Sequence, residues 1–229
     1  MNREIKQHTQ GKPLRGSFQL HSLEVAGQVA RQQSEIAYFF ELHRGEYDHA
    51  LLSVPEGANV KVMQVSSGAG SALHGTLSAG VSASLVAPSQ ALPEMFPTMI
   101  RLVRERLPTV FHIAAQSLSE ELAFRADHRD VMAVRDTGFA ILFSGGASEE
   151  ARDIAQIAHS AATQLRLPVL HVFDGWDAAA RRVSNVKPLR TLSNAVGRAN
   201  DDQPNISVVA TVERIEALMA SKYHAYQPF

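Results

Sequence analysis

Cysteine is absent from the 229 residues. Its absence excludes disulfides, thiolate–metal sites, iron–sulfur ligation and a catalytic thiol, so any redox centre used with this chain lies on a partner. An excess of either charge is missing too: 22 basic side chains stand against 23 acidic ones. Such a balance gives neither a basic footprint for nucleic acid nor a polybasic anchor for a membrane. There is no run of about 18 apolar residues to form a membrane span. The polar start MNREIKQHTQGKPLRG lacks the apolar stretch of a signal peptide, which makes the cytoplasm the expected compartment. No His-Glu-x-x-His pair occurs, so no zinc hydrolase and no other metal site is expected.

What is present is an alternation of apolar runs and amphipathic stretches. With 45% hydrophobic and 20% charged residues, the length suits a globular α/β domain. Residues 1–16 read as a flexible lead-in and 17–229 as one domain. Ser22 opens a helix that carries Leu23, Ala26, Val29 and Ala30 on one face. IAYFFEL, VKVMQVSS, SASLVAP, TVFHIAAQ and VLHVF read as strands, and 131–143 as two strand-like runs around a short turn. The small residues of GAGSALHGTLSAG suggest a helix packed closely on a sheet, and Leu92 to about Arg106 forms another helix. A further helix has Ser148 as its cap, Glu149 and Glu150 at its positive end, and a stripe of Ile154, Ile157, Ala158 and Ala161. Residues 177–205 are polar and read as a surface excursion, and a last helix follows from Ser207. This order predicts a three-layer fold, a mainly parallel sheet covered by helices on both faces.

Few side chains announce chemistry. His74 falls in the small-residue helix, and His112 and His171 fall in apolar strands, where a hydrogen-bonded core role is the ordinary one. Asp127-His128-Arg129-Asp130 combines acid–base and ligand types, yet equally suits a loop held by Asp caps. SSGAGSALHG resembles a phosphate cradle without matching either glycine-rich nucleotide motif.

Three longer strings carry a resemblance: HGTLSAGVSASLVAPSQALPEMFPTMIRLVRERLPTVFHIAAQSLS, ADHRDVMAVRDTGFAILFS and IAHSAATQLRLPVLHVFDGW. In this order and spacing, from about Met63 to Trp176, the chain resembles the N-terminal domain of pyruvate:ferredoxin (flavodoxin) oxidoreductases. Tyr223 to Phe229 resembles the point where that domain hands over to the next. The resemblance implies a thiamine-fold domain that faces a second one, with thiamine diphosphate between them. It also implies three working residues here: a glutamate relaying a proton to the aminopyrimidine, a threonine in a Tyr-Pro-Ile-Thr-Pro loop, and an arginine forking onto the 2-oxoacid carboxylate.

All three positions are substituted. Met-Gln-Ser-Glu becomes Met63-Gln64-Val65-Ser66, Phe-His-Val-Ala-Ala-Arg becomes Phe111-His112-Ile113-Ala114-Ala115-Gln116, and the loop falls at Phe40-Glu41-Leu42-His43-Arg44, with His43 for the threonine. The matching strings Ser89-Gln90, Asp127-His128, Thr137-Gly138-Phe139-Ala140 and Phe173-Asp174-Gly175 are scaffold. Asp174-Gly175 does not open a magnesium–diphosphate motif, because Phe173 stands where a glycine is needed. The chain is also similar, in its degeneracy, to the N-terminal region of the fungal-type sulfite reductase flavoprotein subunit.

The expectation is a domain that has lost autonomous catalysis and works as a structural domain or subunit, with other oxidoreductase subunits or a second copy as partner. One alternative is an active 2-oxoacid oxidoreductase subunit sharing thiamine diphosphate with another subunit, with Gln116 and His43 binding a changed group. Another is an unrelated nucleotide or anion module, with Ser66, Ser67 and Gly68 as the binding turn.

Overall fold

A computed structural model describes residues 22–41, 59–65, 70–118, 124–145, 147–174, 213 and 215–217. The order is α1 (Ser22–Gln33), β1 (Ile36–Glu41), β2 (Val60–Gln64), α2 (Ser71–Ser78), β3 (Ala83–Pro88), α3 (Leu92–Arg104), β4 (Val110–Ala115), β5 (Ser117–Leu118), β6 (Phe124–Arg125), α4 (Arg129–Ala133), β7 (Ala140–Ser144), α5 (Ser148–Leu165) and β8 (Val169–Asp174). Single 3₁₀ turns follow β3 and α4.

Six strands form one sheet in the order β2-β1-β3-β4-β8-β7, with every pairing parallel. Parallel strands need crossovers, and helices cover both faces of the centre of the sheet, which is why every residue of β3 and β4 is buried and all but Ser84 and His112 are apolar, whereas β2 at the edge is mostly exposed. The two faces are packed by different means. One carries large side chains: Tyr38, Phe40, Leu85, Phe111, Ile113 and Leu170 meet Leu73, Leu92, Met95, Met99 and Leu102 from α2 and α3. On the other, α1 and α5 lie side by side and meet the sheet through alanines 26, 30, 151, 158, 161 and 162.

The expectation of close packing through small residues is therefore met at a different place. A Cβ on Gly27 of α1 would lie 3.1 Å from the Phe39 ring, whereas one on Gly75 of α2 would meet nothing within 4 Å. Gly75 does not serve contact with the sheet; α2 buries Leu73 and Leu77, with Ala72 packed partly buried against the same core.

Two further expectations are corrected. Residues 131–143 do not form two strands: Val131 sits in the short helix α4, a 3₁₀ turn spans Arg135–Thr137, and only Ala140–Ser144 is extended. Gly138, at φ 92°, ends the helical stretch in the left-handed region. Ser148 is the first residue within α5 rather than its cap; Ala147 holds the cap position with extended backbone and no side-chain cap bond. The stripe of Ile154, Ile157, Ala158 and Ala161 is buried as expected. Among the described residues of the last expected helix, Glu213 and residues 215–217 are helical, and Ile215 packs against α5. Residues 1–16 and 177–205 lie outside the described residues. Among the described residues no helix is long and apolar enough to cross a membrane.

Gly138 combines a left-handed backbone with a would-be Cβ 3.0 Å from Val103 Cγ1. Gly138→Ala is expected to destabilise the domain by about 1–2 kcal/mol from backbone strain alone. Gly75→Ala, in a helix and facing open space, is expected to stabilise it by ~0.5–1 kcal/mol. Denaturant midpoints at constant slope check both, and movement of the two variants in the same direction contradicts the assignment.

Candidate functional site

In an open parallel sheet, ligands gather outside the carboxyl ends of the strands where the order reverses direction. Here β1 is flanked by β2 on one side and β3 on the other, so that crevice opens at Glu41, Val65 and Pro88. Its described rim is built by hydrogen bonds. The Val65 N–H donates to the Glu41 carbonyl at 2.8 Å, carrying the chain past the end of β2. Glu41 is only 3% exposed, and its Oε2 accepts from Gln64 Nε2 at 2.9 Å. A carboxylate at this depth was not singled out from sequence, although a lone acid ending the apolar run IAYFF is a readable signal.

On the other side, the end of β4 is tied down at Gln116. The Gln116 carbonyl accepts from Gln90 Nε2 at 2.5 Å and from the Ser89 hydroxyl at 3.4 Å, and Ser89 Oγ is also 3.4 Å from Asp130 Oδ2. Gln90 Oε1 is buried with no partner among the described residues. Gln116 itself is half-buried and presents a neutral amide. The nearby guanidinium of Arg129 is engaged: its Nε donates to Asp127 Oδ1 at 3.1 Å and Oδ2 at 2.9 Å, and Nη2 to Oδ2 at 2.6 Å. The Arg129 backbone N–H also donates to Asp127 Oδ1 at 3.0 Å, an Asx turn that starts α4. Asp127 thus acts as the loop-holding cap, and the Arg129 side chain and N–H hold its carboxyl well below the usual carboxylate range. Beside it, His128 Nε2 lies 3.4 Å from Asp174 Oδ1, and its ring packs edge-on to the exposed Phe143 at 5.6 Å.

His43, Ser66, Ser67 and Gly68 lie outside the described residues. Gly70, next to them, has φ 87° and precedes α2. His74 is away from the crevice, on α2, where it contacts Glu105 at 2.7 Å.

The strand histidines are brought together under α5. His112 Nδ1 is 3.0 Å from His171 Nδ1, His112 Nε2 is 3.0 Å from His159 Nε2, and His171 Nε2 is 3.0 Å from Ser144 Oγ. His112 and His171 face each other because β4 and β8 pair in that register. His159 was missed from sequence; it sits beside the apolar stripe of α5, and only the fold puts it over His112. Burial pushes His159 and His171 down to about 3 and holds His112 well below the ordinary imidazole value, where the repulsion that protonated His159 or His171 would exert adds to the effect. Among the described residues no three His, Asp or Glu side chains are placed to hold a metal ion.

With this geometry in hand, known proteins can be compared. The family model described as pyruvate flavodoxin/ferredoxin oxidoreductase, thiamine diP-bdg, matches residues 33–224. Pyruvate:ferredoxin oxidoreductase of Moorella thermoacetica is 45% identical over 118 residues, 51% of this chain and 10% of that protein. Pyruvate-flavodoxin oxidoreductase of Nostoc sp. is 40% identical over 130 residues, 56% of this chain and 32% of that sequence. Mitochondrial pyruvate dehydrogenase [NADP(+)] of Euglena gracilis is 39% identical over 132 residues, 57% of this chain and 7% of that protein. The chain thus spans from under a tenth to about a third of these relatives. Among solved structures, 2-oxoglutarate:ferredoxin oxidoreductase from Magnetococcus marinus superposes with a TM-score of 0.50 at 12% identity, over 91% of this chain and 45% of that one. At that identity the likeness concerns the fold.

The engaged Asp127–Arg129 pair makes a direct expectation. Asp127 stays ionised, and the turn stays closed, until the pH has fallen below the ordinary carboxylate range. Its side-chain carboxyl carbon should not shift by NMR between pH 7 and about 3, and in Arg129→Ala its midpoint should rise toward the usual value of about 4, stopping short of it because the backbone N–H of residue 129 still donates to the carboxylate. A wild-type midpoint at the ordinary value contradicts the pairing.

Proposed function

The chain belongs to the thiamine diphosphate-binding domain family of the pyruvate flavodoxin/ferredoxin oxidoreductases, and from that premise we propose that it is a structural domain or subunit of a larger oxidoreductase assembly, without thiamine chemistry of its own. The observation that carries this reading is the state of Gln116. It occupies the end of β4, where the resemblance implies a carboxylate-binding arginine, and its amide is neutral. The guanidinium nearby is closed on Asp127 rather than free for a substrate. The backbone clamp around Gln116, from Ser89 and Gln90, is nonetheless complete. A retained clamp around a substituted donor is the pattern of a domain kept for shape and contacts.

The residue types at positions 66 and 116 support this reading, since neither supplies the donor that the family resemblance implies for thiamine diphosphate and a 2-oxoacid. A serine at position 66 cannot serve as a proton-relay carboxylate at neutral pH, because its hydroxyl is not ionised there. The partners in this reading are other oxidoreductase subunits or a second copy; any cluster would come from the other subunits, since this chain has no cysteine to hold one.

A second reading is favoured by Glu41. Its buried carboxylate, held by Gln64 at the mouth of the crevice, is a group that an active subunit with altered substrate could use. In that reading another subunit shares the thiamine diphosphate, and Gln116 and His43 bind a changed substrate group.

Calorimetry of the full chain with thiamine diphosphate and magnesium is expected to give no binding heat at millimolar cofactor. No 2-oxoacid is expected to reduce a viologen dye in its presence, alone or with co-purified subunits. Cofactor binding together with dye reduction overturns the structural reading in favour of the second. Loss of that activity in Glu41→Gln would then locate the working carboxylate.

A further inference from the structure

The histidines beneath α5 form a chain whose proton count is fixed by its ends. Ser144 Oγ donates to the Val172 carbonyl at 3.3 Å, and a carbonyl can only accept. The Ser144 oxygen therefore accepts from His171 Nε2–H, which leaves His171 Nδ1 bare to accept from His112 Nδ1–H. His112 Nε2 is then bare and accepts from His159 Nε2–H. The three rings are neutral, and their hydrogen bonds run one way, from α5 through β4 and β8 to β7. His159 Nδ1 is the one ring nitrogen outside the chain's bonds.

A nitrogen–nitrogen contact holds a single hydrogen. One added proton is accommodated at His159 Nδ1 with every bond kept. A second has to enter between two rings where a hydrogen already lies: at His112 Nε2 it breaks the bond to His159 and sets two cations side by side with centroids 5.1 Å apart, and at His171 Nδ1 it breaks the bond to His112. We propose that His159, His112, His171 and Ser144 form an acid-released fastening of α5 to the β4–β8–β7 side of the sheet, which takes up one proton intact and parts on the second.

The surroundings leave little to stabilise charge. The rings are flanked by the alanines of α5 and by Phe173, whose ring is 5.5 Å from that of His171. The titratable groups on the packed elements are Glu24 and Arg31 on α1, Glu149, Glu150, Arg152 and Asp153 on α5, Asp174 ending β8, and Glu213 and Glu216 beside Ile215. Arg152 is paired with Asp153 at 3.0 Å and Asp174 with His128 at 3.4 Å, and among the described bonds none joins a ring to a carboxylate. Burial accordingly lowers the proton affinity of all three rings. The unfolded chain binds three protons at these positions as pH falls through about 6.5, while the folded chain binds none or one. Two to three protons are therefore taken up on release, and stability falls as pH drops below 6.5.

The test uses the full chain. Nitrogen-15 NMR at pH 7 is expected to find hydrogens on His159 Nε2, His112 Nδ1 and His171 Nε2, with no ring titrating near 6.5 in the folded state. On acidification from pH 7 to 5, amide-exchange protection of α5 is expected to fall before that of α3. In His159→Gln, whose amide still donates to His112 but binds no proton, the rise of the unfolding constant per pH unit below about 6 should be roughly tenfold smaller than in wild type. A reversed or mixed tautomer set, rings titrating independently near 6.5, or simultaneous loss of α5 and α3 protection overturns the proposal. The first two readouts need only the wild-type chain, so a variant that fails to fold does not shield it.

Discussion

Everything in this domain depends on the burial of both faces of one parallel sheet. The central strands have no solvent face to carry polar residues, so each position there is apolar, small or hydrogen-bonded inside, while β2 at the edge stays mostly exposed. The two faces meet that demand differently. Large rings and aliphatic chains from α2 and α3 fill one side. On the other, alanines bring α1 and α5 close enough for their backbones to approach the strands, and Gly27 lies against Phe39. The polar side chains admitted to that close-packed face are the ones that pair with each other, such as the linked histidines and Ser144. An unpaired imidazole there would leave a donor and an acceptor without partners, at a cost of about 1–3 kcal/mol for each group.

The same burial fixes where chemistry can occur. With faces and interior closed, functional side chains can gather only at strand ends, and the reversal of order at β1 selects the ends of β1, β2, β3 and β4. That rim has two kinds of residue. Ser89, Gln90, Asp127 and Asp130 hold the backbone in place and agree with the family strings, while Gln116 replaces the charged group the resemblance implies. The bonds that clamp residue 116 go to its main-chain carbonyl, so they do not depend on which side chain stands there. Glu41 differs in kind, a buried acid at the end of β1 held by Gln64.

Several elements were legible in the residues because one local pattern determined them. α1, α3, α5 and five of the six sheet strands followed from helical or continuous apolar periodicity. The segment 131–143 was misread because VMAV is equally apolar in a strand or in a short helix; the choice fell to Asp127, whose side chain starts a turn two residues downstream, and to Gly138, which ends it. Ser148 looked like a cap because the residue type favours that position, but helix ends vary by a residue with context. The role given to the small residues of α2 failed for a different reason: how closely a helix approaches a sheet depends on what lies opposite, and nothing lies opposite Gly75.

The sequence by itself determined the α/β class, the family through its long strings, and the absence of cysteine ligands. Those are properties of residue type and order along the chain. Only the tertiary structure decided that His112, His159 and His171 form one hydrogen-bonded chain, that Arg129 is closed on Asp127, and that Glu41 is buried against Gln64. The histidine chain joins two strands to a helix, with His112 and His171 59 residues apart, and Glu41 meets Gln64 because β1 pairs with β2. No local pattern encodes such distances; they are set when the sheet pairs its strands and the helices settle on it.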